Sequence, residues 1–193
     1  IGQRVAAQAN ANGNACWTTW DRNPGSTQDA VVTDEFVFQG EKAAKLIYGN
    51  DIVCLLGDKT LGSFIVEYSI YIPSGRDAYS NMLHIFASAN SEWAHELYFN
   101  QNNSTPGRGY LKVIGQNTTF TFPHDQWFPV KFNVDLYSDV ITLTINHNFV
   151  KTWQFSLISS TNTIGLKQLA AISFYPPTNS TRSLFYIDNV NIA

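Results

Sequence analysis

The sequence has few charged residues and very few cysteines, and each shortage excludes a class of protein. Lysine and arginine total 12 of 193 residues and are scattered, so there is no basic patch of the kind that nucleic-acid binding requires. No apolar run is long enough to span a bilayer. The two cysteines form no Cys-x-x-Cys pair, which excludes a cysteine-based zinc site. We therefore expect neither nucleic acid as a partner nor a membrane span.

The chain is instead rich in turn residues, β-branched residues and aromatic residues. Gly, Pro and Asn separate short runs in which apolar and polar residues alternate, the pattern of half-buried strands. In the clearest run, residues 63–73, Phe64, Val66, Tyr68 and Ile70 fall on one face. About a dozen such runs and no convincing amphipathic helix predict an all-β fold of two antiparallel sheets, a jelly-roll or concanavalin-like sandwich. Without a linker or repeat, residues 1–193 are predicted to form one domain, opening with an edge strand over residues 1–9.

Residues 80–100 predict a hairpin whose second strand carries the best candidate binding surface. Alternation places Trp93 and Leu97 on an apolar face and Glu96 and Tyr98 on the opposite, polar face. Carboxylate and phenol groups suit hydroxyl-rich or anionic sugars, although a solvated outer face has the same composition. The further candidate ligand-binding residues are Lys112, His84 and Tyr71, with Trp17, Trp20 and Tyr79 as a second, aromatic set.

Several segments spread along the chain carry a family resemblance. They are WTTW at 17–20, DAVV at 29–32, DIVCLLGDKT at 51–60, YIPSG at 71–75, WA at 93–94, WFPV at 127–130 and FYIDNV at 185–190. The chain resembles a β-sandwich module of secreted multidomain proteins from marine and gut Bacteroidetes, often found beside a C-terminal sorting domain. More loosely, it is similar to concanavalin-like, LamG and MAM sandwiches. The resemblance implies export to the extracellular space or cell surface, and an accessory role on polysaccharide within a larger chain.

Two further expectations concern cross-links and metal. In an exported protein we expect a disulfide between Cys16 and Cys54, the alternative being two buried free thiols. Sandwich modules commonly hold a structural Ca²⁺ through loop oxygens, the hard ligands that Ca²⁺ prefers. Asp34, Glu35 and Asp188 form the candidate calcium site if the last strand lies beside the early loop.

These patterns favour a non-catalytic carbohydrate-binding module over two alternatives. The first alternative is an enzyme, either a jelly-roll polysaccharide lyase with His84 as base and Tyr98 as acid or a glycoside hydrolase. The arginine-rich strand of such lyases is absent, and only Glu92 and Glu96 lie close enough in sequence to suggest the carboxylate pair of a hydrolase. The second alternative is a structural or adhesive module that binds protein.

Overall fold

A computed structural model of the chain describes residues 1–100, 106–161, 163–176 and 182–193. It contains two seven-stranded sheets. Sheet I pairs, in spatial order, β1 (Trp17–Thr19), β4 (Ile52–Lys59), β13 (Leu169–Phe174), β6 (Ala78–Ile85), β7 (Glu92–Phe99), β8 (Arg108–Val113) and β9 (Gln116–Thr121). Sheet II pairs β12 (Asn148–Gln154), β11 (Val140–Ile145), β10 (Trp127–Asp135), β5 (Ser63–Tyr71), β14 (Leu184–Ile192), β3 (Ala43–Ile47) and β2 (Val31–Thr33). Neighbouring strands of both sheets are antiparallel, which confirms the predicted all-β sandwich.

The core lies between the sheets and is filled by alternate side chains of each strand. On β5 and just beyond it, Val66, Tyr68, Ile70 and Ile72 are fully buried, as the alternation predicts. Phe64, at the start of the same face, is only partly buried. The remaining residues predicted in the core are also buried: Leu97, Phe99, Phe132, Val134, Leu143 and Ile145.

Residues near the start of the chain form a helix, and the predicted edge strand over residues 1–9 is wrong. The helix α1 spans Val5–Ala11. Four of its seven residues are alanine, the strongest helix former. The buried Asp29 carboxylate accepts the backbone N–H groups of Ala6 and Ala7, at 2.9 and 3.0 Å, and so satisfies the helix N-terminus from a distant segment. Within the described residues, no helix is long and apolar enough to cross a membrane.

An irregularity in β7 changes which of its side chains face the core. Met82 pairs with His95 and Leu83 pairs with Trp93, so β7 has one additional residue, Ala94, at this point. Beyond this bulge, His95 and Leu97 enter the core, whereas Trp93 packs beside Leu83 on the outer face of sheet I. The prediction that Trp93 shares a face with Leu97 is therefore wrong, because one extra residue reverses the alternation.

Candidate functional site

Two rows of side chains cross the outer face of sheet I. In the first row, Lys112 on β8, Glu96 on β7, Asn81 on β6 and Ser173 on β13 are successive register partners. In the second row, Tyr110, Tyr98 and Tyr79 are partners on β8, β7 and β6. Tyr98 stacks on Tyr110 with 4.6 Å between ring centroids and meets Tyr79 edge-on at 4.7 Å. The register of four strands therefore builds one continuous surface of polar and aromatic groups.

Glu96 is the best-bonded side chain on this surface. Its Oε2 accepts the hydroxyls of Tyr98 and Tyr79, at 2.5 and 3.2 Å. Its Oε1 accepts the Ser159 hydroxyl at 2.9 Å and lies 3.0 Å from the Lys112 ammonium. Burial is the largest single influence on the Glu96 pKa and raises it, but the bonds from Tyr98, Lys112 and Ser159 together outweigh burial and lower the pKa. A carboxylate offers about four lone-pair sites, so these four donors leave Glu96 little capacity for a ligand.

Two further polar side chains, Asn81 and Asp51, lie beside Glu96 and have few hydrogen bonds. Asn81 is 1% exposed, and its Oδ1 has no hydrogen-bond partner among the described residues. Asp51 precedes β4 and accepts one side-chain bond, from the Ser173 hydroxyl at 3.1 Å. Burial is the main cause that raises the pKa of Asp51 to about 7, with a further contribution from the nearby Asp21 carboxylate. Buried polar groups in proteins are normally paired, so the unpaired acceptor of Asn81 makes it a candidate partner for a water molecule or a ligand donor.

These groups line a cavity of about 390 Å³, which we call the Asn81 cleft. Its aromatic wall is formed by Trp20 and Trp93, whose rings stack at 5.9 Å with an interplanar angle of 19°. Both tryptophans pack on a small apolar cluster on the outer face of sheet I, formed by Val53, Leu83 and Ala171. Tyr79 and Tyr175, with ring centroids 4.3 Å apart, complete the lining together with Ser159 and Ser160.

Five of the eight residues predicted as ligand-binding lie on this surface: Glu96, Tyr98, Lys112, Tyr79 and Trp20. The other three lie elsewhere. His84 is fully buried, with Nε2 donating to the Phe155 carbonyl at 2.7 Å and Nδ1 lying 2.8 Å from Glu92. Burial is the main influence on the pKa of His84 and lowers it. Tyr71 belongs to sheet II, where it stacks on Phe36 at 4.3 Å.

Trp17 is the third predicted residue that lies away from this polar and aromatic surface. It packs against Phe174 and the main core cluster, because Trp17 and Trp20 are three positions apart and alternation points them to opposite faces of sheet I. Conversely, sequence reasoning missed Asp51, Asn81 and Tyr175 as cleft residues. No local motif marks them, since they come together only through the pairing of β4, β13 and β6.

The structure places Cys16 and Cys54 side by side as thiols, and not as the predicted disulfide. Trp17 is the register partner of Cys54, so Cys16 lies one residue beyond the pair at the edge of sheet I. The hydrogen bond from the Cys54 thiol is the main cause that lowers the pKa of Cys16 to about 7. The same bond and burial raise the pKa of Cys54. Cys16 is therefore the more reactive of the two thiols.

Two of the predicted calcium ligands, Glu35 and Asp188, bind groups of the protein itself. Both carboxylate oxygens of Glu35 contact the Lys45 ammonium, and one also accepts the Tyr186 hydroxyl at 2.6 Å. Asp188 accepts the backbone N–H groups of Phe38 and Gln39, each at 3.1 Å. Over the described residues, no group of three or more His, Cys, Asp or Glu side chains is arranged to hold a metal ion. Calcium binding by Asp34, Glu35 and Asp188 stays a prediction for metal analysis to test.

Comparison with known proteins identifies the fold. No protein-family model and no curated protein sequence matches the chain. It superposes on a sialidase with a TM-score of 0.58 and 11% identity, covering 100% of this chain but only 18% of the sialidase. The Emp46p carbohydrate recognition domain gives 0.56 at 8% identity, over 95% of this chain and 88% of that domain. A glycoside hydrolase family 131 catalytic domain from Coprinopsis cinerea gives 0.54 at 13%, over 92% and 82%. At such identities the likeness is one of fold alone.

Proposed function

We propose that this chain is a non-catalytic carbohydrate-binding module of a secreted multidomain protein, and that the Asn81 cleft holds the saccharide. The observation that carries the proposal is the unpaired Oδ1 of the buried Asn81 beside the stacked pair Trp20 and Trp93. Pyranose rings present apolar C–H faces and hydroxyl edges. The tryptophan wall offers a stacking surface for the faces, and Asn81 offers an acceptor for a hydroxyl.

The bonding of Glu96 supports a binding role over hydrolysis. A glycoside hydrolase needs two carboxyl groups, one that donates a proton and one that attacks or activates water. Two carboxyl side chains line the cleft, Asp51 and Glu96, but Glu96 is already held by two tyrosine hydroxyls, a serine hydroxyl and a lysine ammonium. Glu96 is therefore assigned as a positioning residue that fixes Tyr79 and Tyr98, and not as a catalytic acid or nucleophile.

The positions of His84 and Tyr98 argue against the lyase alternative. Tyr98 lies on the outer face of sheet I, whereas His84 bonds Phe155 and Glu92 inside the protein, so they cannot act on one sugar unit as base and acid. The named activities of proteins with this fold are consistent with saccharide as the ligand class, since Emp46p carries a carbohydrate recognition domain and the Coprinopsis protein is a glycoside hydrolase.

A glycan array, followed by titration of the bound glycan, tests the proposal. We expect Trp20→Ala and Asn81→Ala each to weaken binding by about tenfold or more, through loss of a stacking surface and of a buried acceptor. Trp127→Ala is the matched control, because Trp127 lies in β10 of sheet II, away from the cleft, and it should bind like wild type. No binding to any glycan contradicts the proposal, and release of new reducing ends or unsaturated uronate contradicts its non-catalytic part.

A further inference from the structure

The charges around the Asn81 cleft are unbalanced. The cleft is lined by two carboxyl groups, Asp51 and Glu96, and by no lysine or arginine among the described residues. The cation beside it, Lys112, contacts Glu96 through its ammonium. Proteins recognise carboxylate, sulfate and phosphate groups of ligands through arginine or lysine donors, often in pairs. An anionic sugar in this cleft would therefore face carboxylates without a free cation.

We propose that the Asn81 cleft excludes anionic saccharides, and that Asp51 is the residue responsible for this exclusion. This inference rests on the proposed carbohydrate-binding function and specifies its ligand class. It narrows the hydroxyl-rich or anionic sugars predicted from the sequence to the first of these two classes.

The surroundings of Asp51 explain how one carboxyl group both admits a neutral sugar and rejects an anion. The titratable groups that face it are Asp21, Tyr79, Glu96 and Tyr175, none of which is cationic. With its pKa near 7, Asp51 is a mixture of carboxyl and carboxylate at neutral pH. The carboxyl form donates to a sugar hydroxyl and the carboxylate form accepts from one, so both tolerate an uncharged sugar. Only the carboxylate repels an anion, and repulsion therefore grows as the pH rises.

Asn81 adds a second requirement that a hydroxyl group meets. Its Oδ1 is an acceptor without a partner among the described residues, and its Nδ2 already lies 3.4 Å from the Tyr79 hydroxyl. A carboxylate or sulfate brought to this position would set oxygen against oxygen. A sugar hydroxyl would donate to Asn81 and exchange a further bond with Asp51 or Ser160, which also lines the cleft.

The test compares a neutral polysaccharide with its own carboxymethylated derivative, for example a β-glucan and carboxymethyl β-glucan. The neutral polysaccharide is chosen from those that bind on the glycan array. Affinity electrophoresis or titration calorimetry with the full chain at about pH 8 and about pH 5.5 changes Asp51 while leaving the ligand carboxylates ionised. At about pH 8 we expect wild type to bind the neutral polymer at least about tenfold more tightly than the carboxymethylated polymer, because like charges repel. This ratio of affinities should shrink at about pH 5.5.

Asp51→Asn is the decisive variant, and Asp58→Asn is its control. Asp58 lies near the other end of β4 and bonds Gln168, so the control makes the same change of charge away from the cleft. For Asp51→Asn, the ratio of neutral to carboxymethylated affinity should be small at both pH values and should not change with pH. Asp58→Asn should behave like wild type. Tighter binding of the carboxymethylated polymer, or an Asp51→Asn ratio equal to wild type, would overturn the inference while leaving carbohydrate binding intact. Failure of every saccharide to bind overturns both.

Discussion

Asn81 and Glu96 are direct register partners on β6 and β7, yet their side chains are in opposite states. Glu96 accepts from Tyr79, Tyr98, Ser159 and Lys112, whereas Asn81 Oδ1 has no partner among the described residues. β7 thus supplies a carboxylate that is fixed by its four donors, and β6 supplies a buried acceptor that is unpaired among the described residues. The proposed saccharide-binding function depends on this difference between the two side chains.

Replacing Glu96 by Gln tests its assigned positioning role. The substitution removes a charged acceptor from four donors, and we expect a loss of about 1.5–3 kcal/mol in unfolding free energy at neutral pH. Because the folded state lowers the pKa of Glu96, its stabilisation is present above the unfolded pKa of about 4.5 and is lost as the pH falls through the folded value. Chemical denaturation across this range should show the variant and wild type converging in acid.

The exposed Glu41 provides the control for that experiment. Glu41→Gln removes the same charge without a comparable set of donors and should change stability by no more than about 0.5 kcal/mol. A Glu96→Gln protein as stable as wild type at neutral pH would contradict the assignment of Glu96.

The core register of β5 is tested by Val66→Asp. Val66 is fully buried between the sheets, so an aspartate there would bury an unpaired charge and cost several kcal/mol of unfolding free energy. Ile65, its neighbour on the outer face of sheet II, is only partly buried, and Ile65→Asp should cost much less. Equal melting temperatures for Val66→Asp and wild type would show that the register is wrong.

The strand of Val66 and the position of Trp93 show why the sequence predicted the fold better than the site. Alternation over residues 63–73 is uninterrupted, so period two identified the buried face correctly. In β7 the extra residue Ala94 reverses the alternation, and nothing in the local sequence marks it. The cleft residues Asp51 and Asn81 come from strands brought together by long-range pairing through β13, which local patterns do not encode. Tyr98 and Glu96 were found because both lie within one strand.

The two thiols should differ strongly in reactivity. Under native, non-reducing conditions iodoacetamide at about pH 8 should label Cys16 first, because its lowered pKa gives thiolate and it is partly exposed, whereas Cys54 is 7% exposed. Peptide mass spectrometry identifies the labelled residue, and denatured protein should react at both positions. The opposite result is no labelling without reductant and labelling of both Cys16 and Cys54 after reduction. It would show that the isolated protein carries the disulfide predicted from the sequence.

The last prediction concerns the stability cost of ionising Asp51. Its pKa of about 7 in the folded protein lies above the ordinary aspartate value of 3.8, so between these two values the folded state binds more protons than the unfolded state. The unfolding free energy of wild type should therefore fall as the pH rises from about 4 to about 7, at up to about 1.4 kcal/mol per pH unit from this one group. Asparagine keeps the shape of the side chain and carries no charge.

Asp51→Asn should accordingly flatten this part of the stability profile and be more stable than wild type at about pH 8, where the buried charge is fully formed. Urea denaturation at about pH 5 and about pH 8 measures the difference, with Asp58→Asn as the matched control. A variant that is less stable than wild type at the higher pH would show that the ionised carboxylate is favoured at this position. That result would remove the physical basis for the pH-dependent exclusion of anions by Asp51.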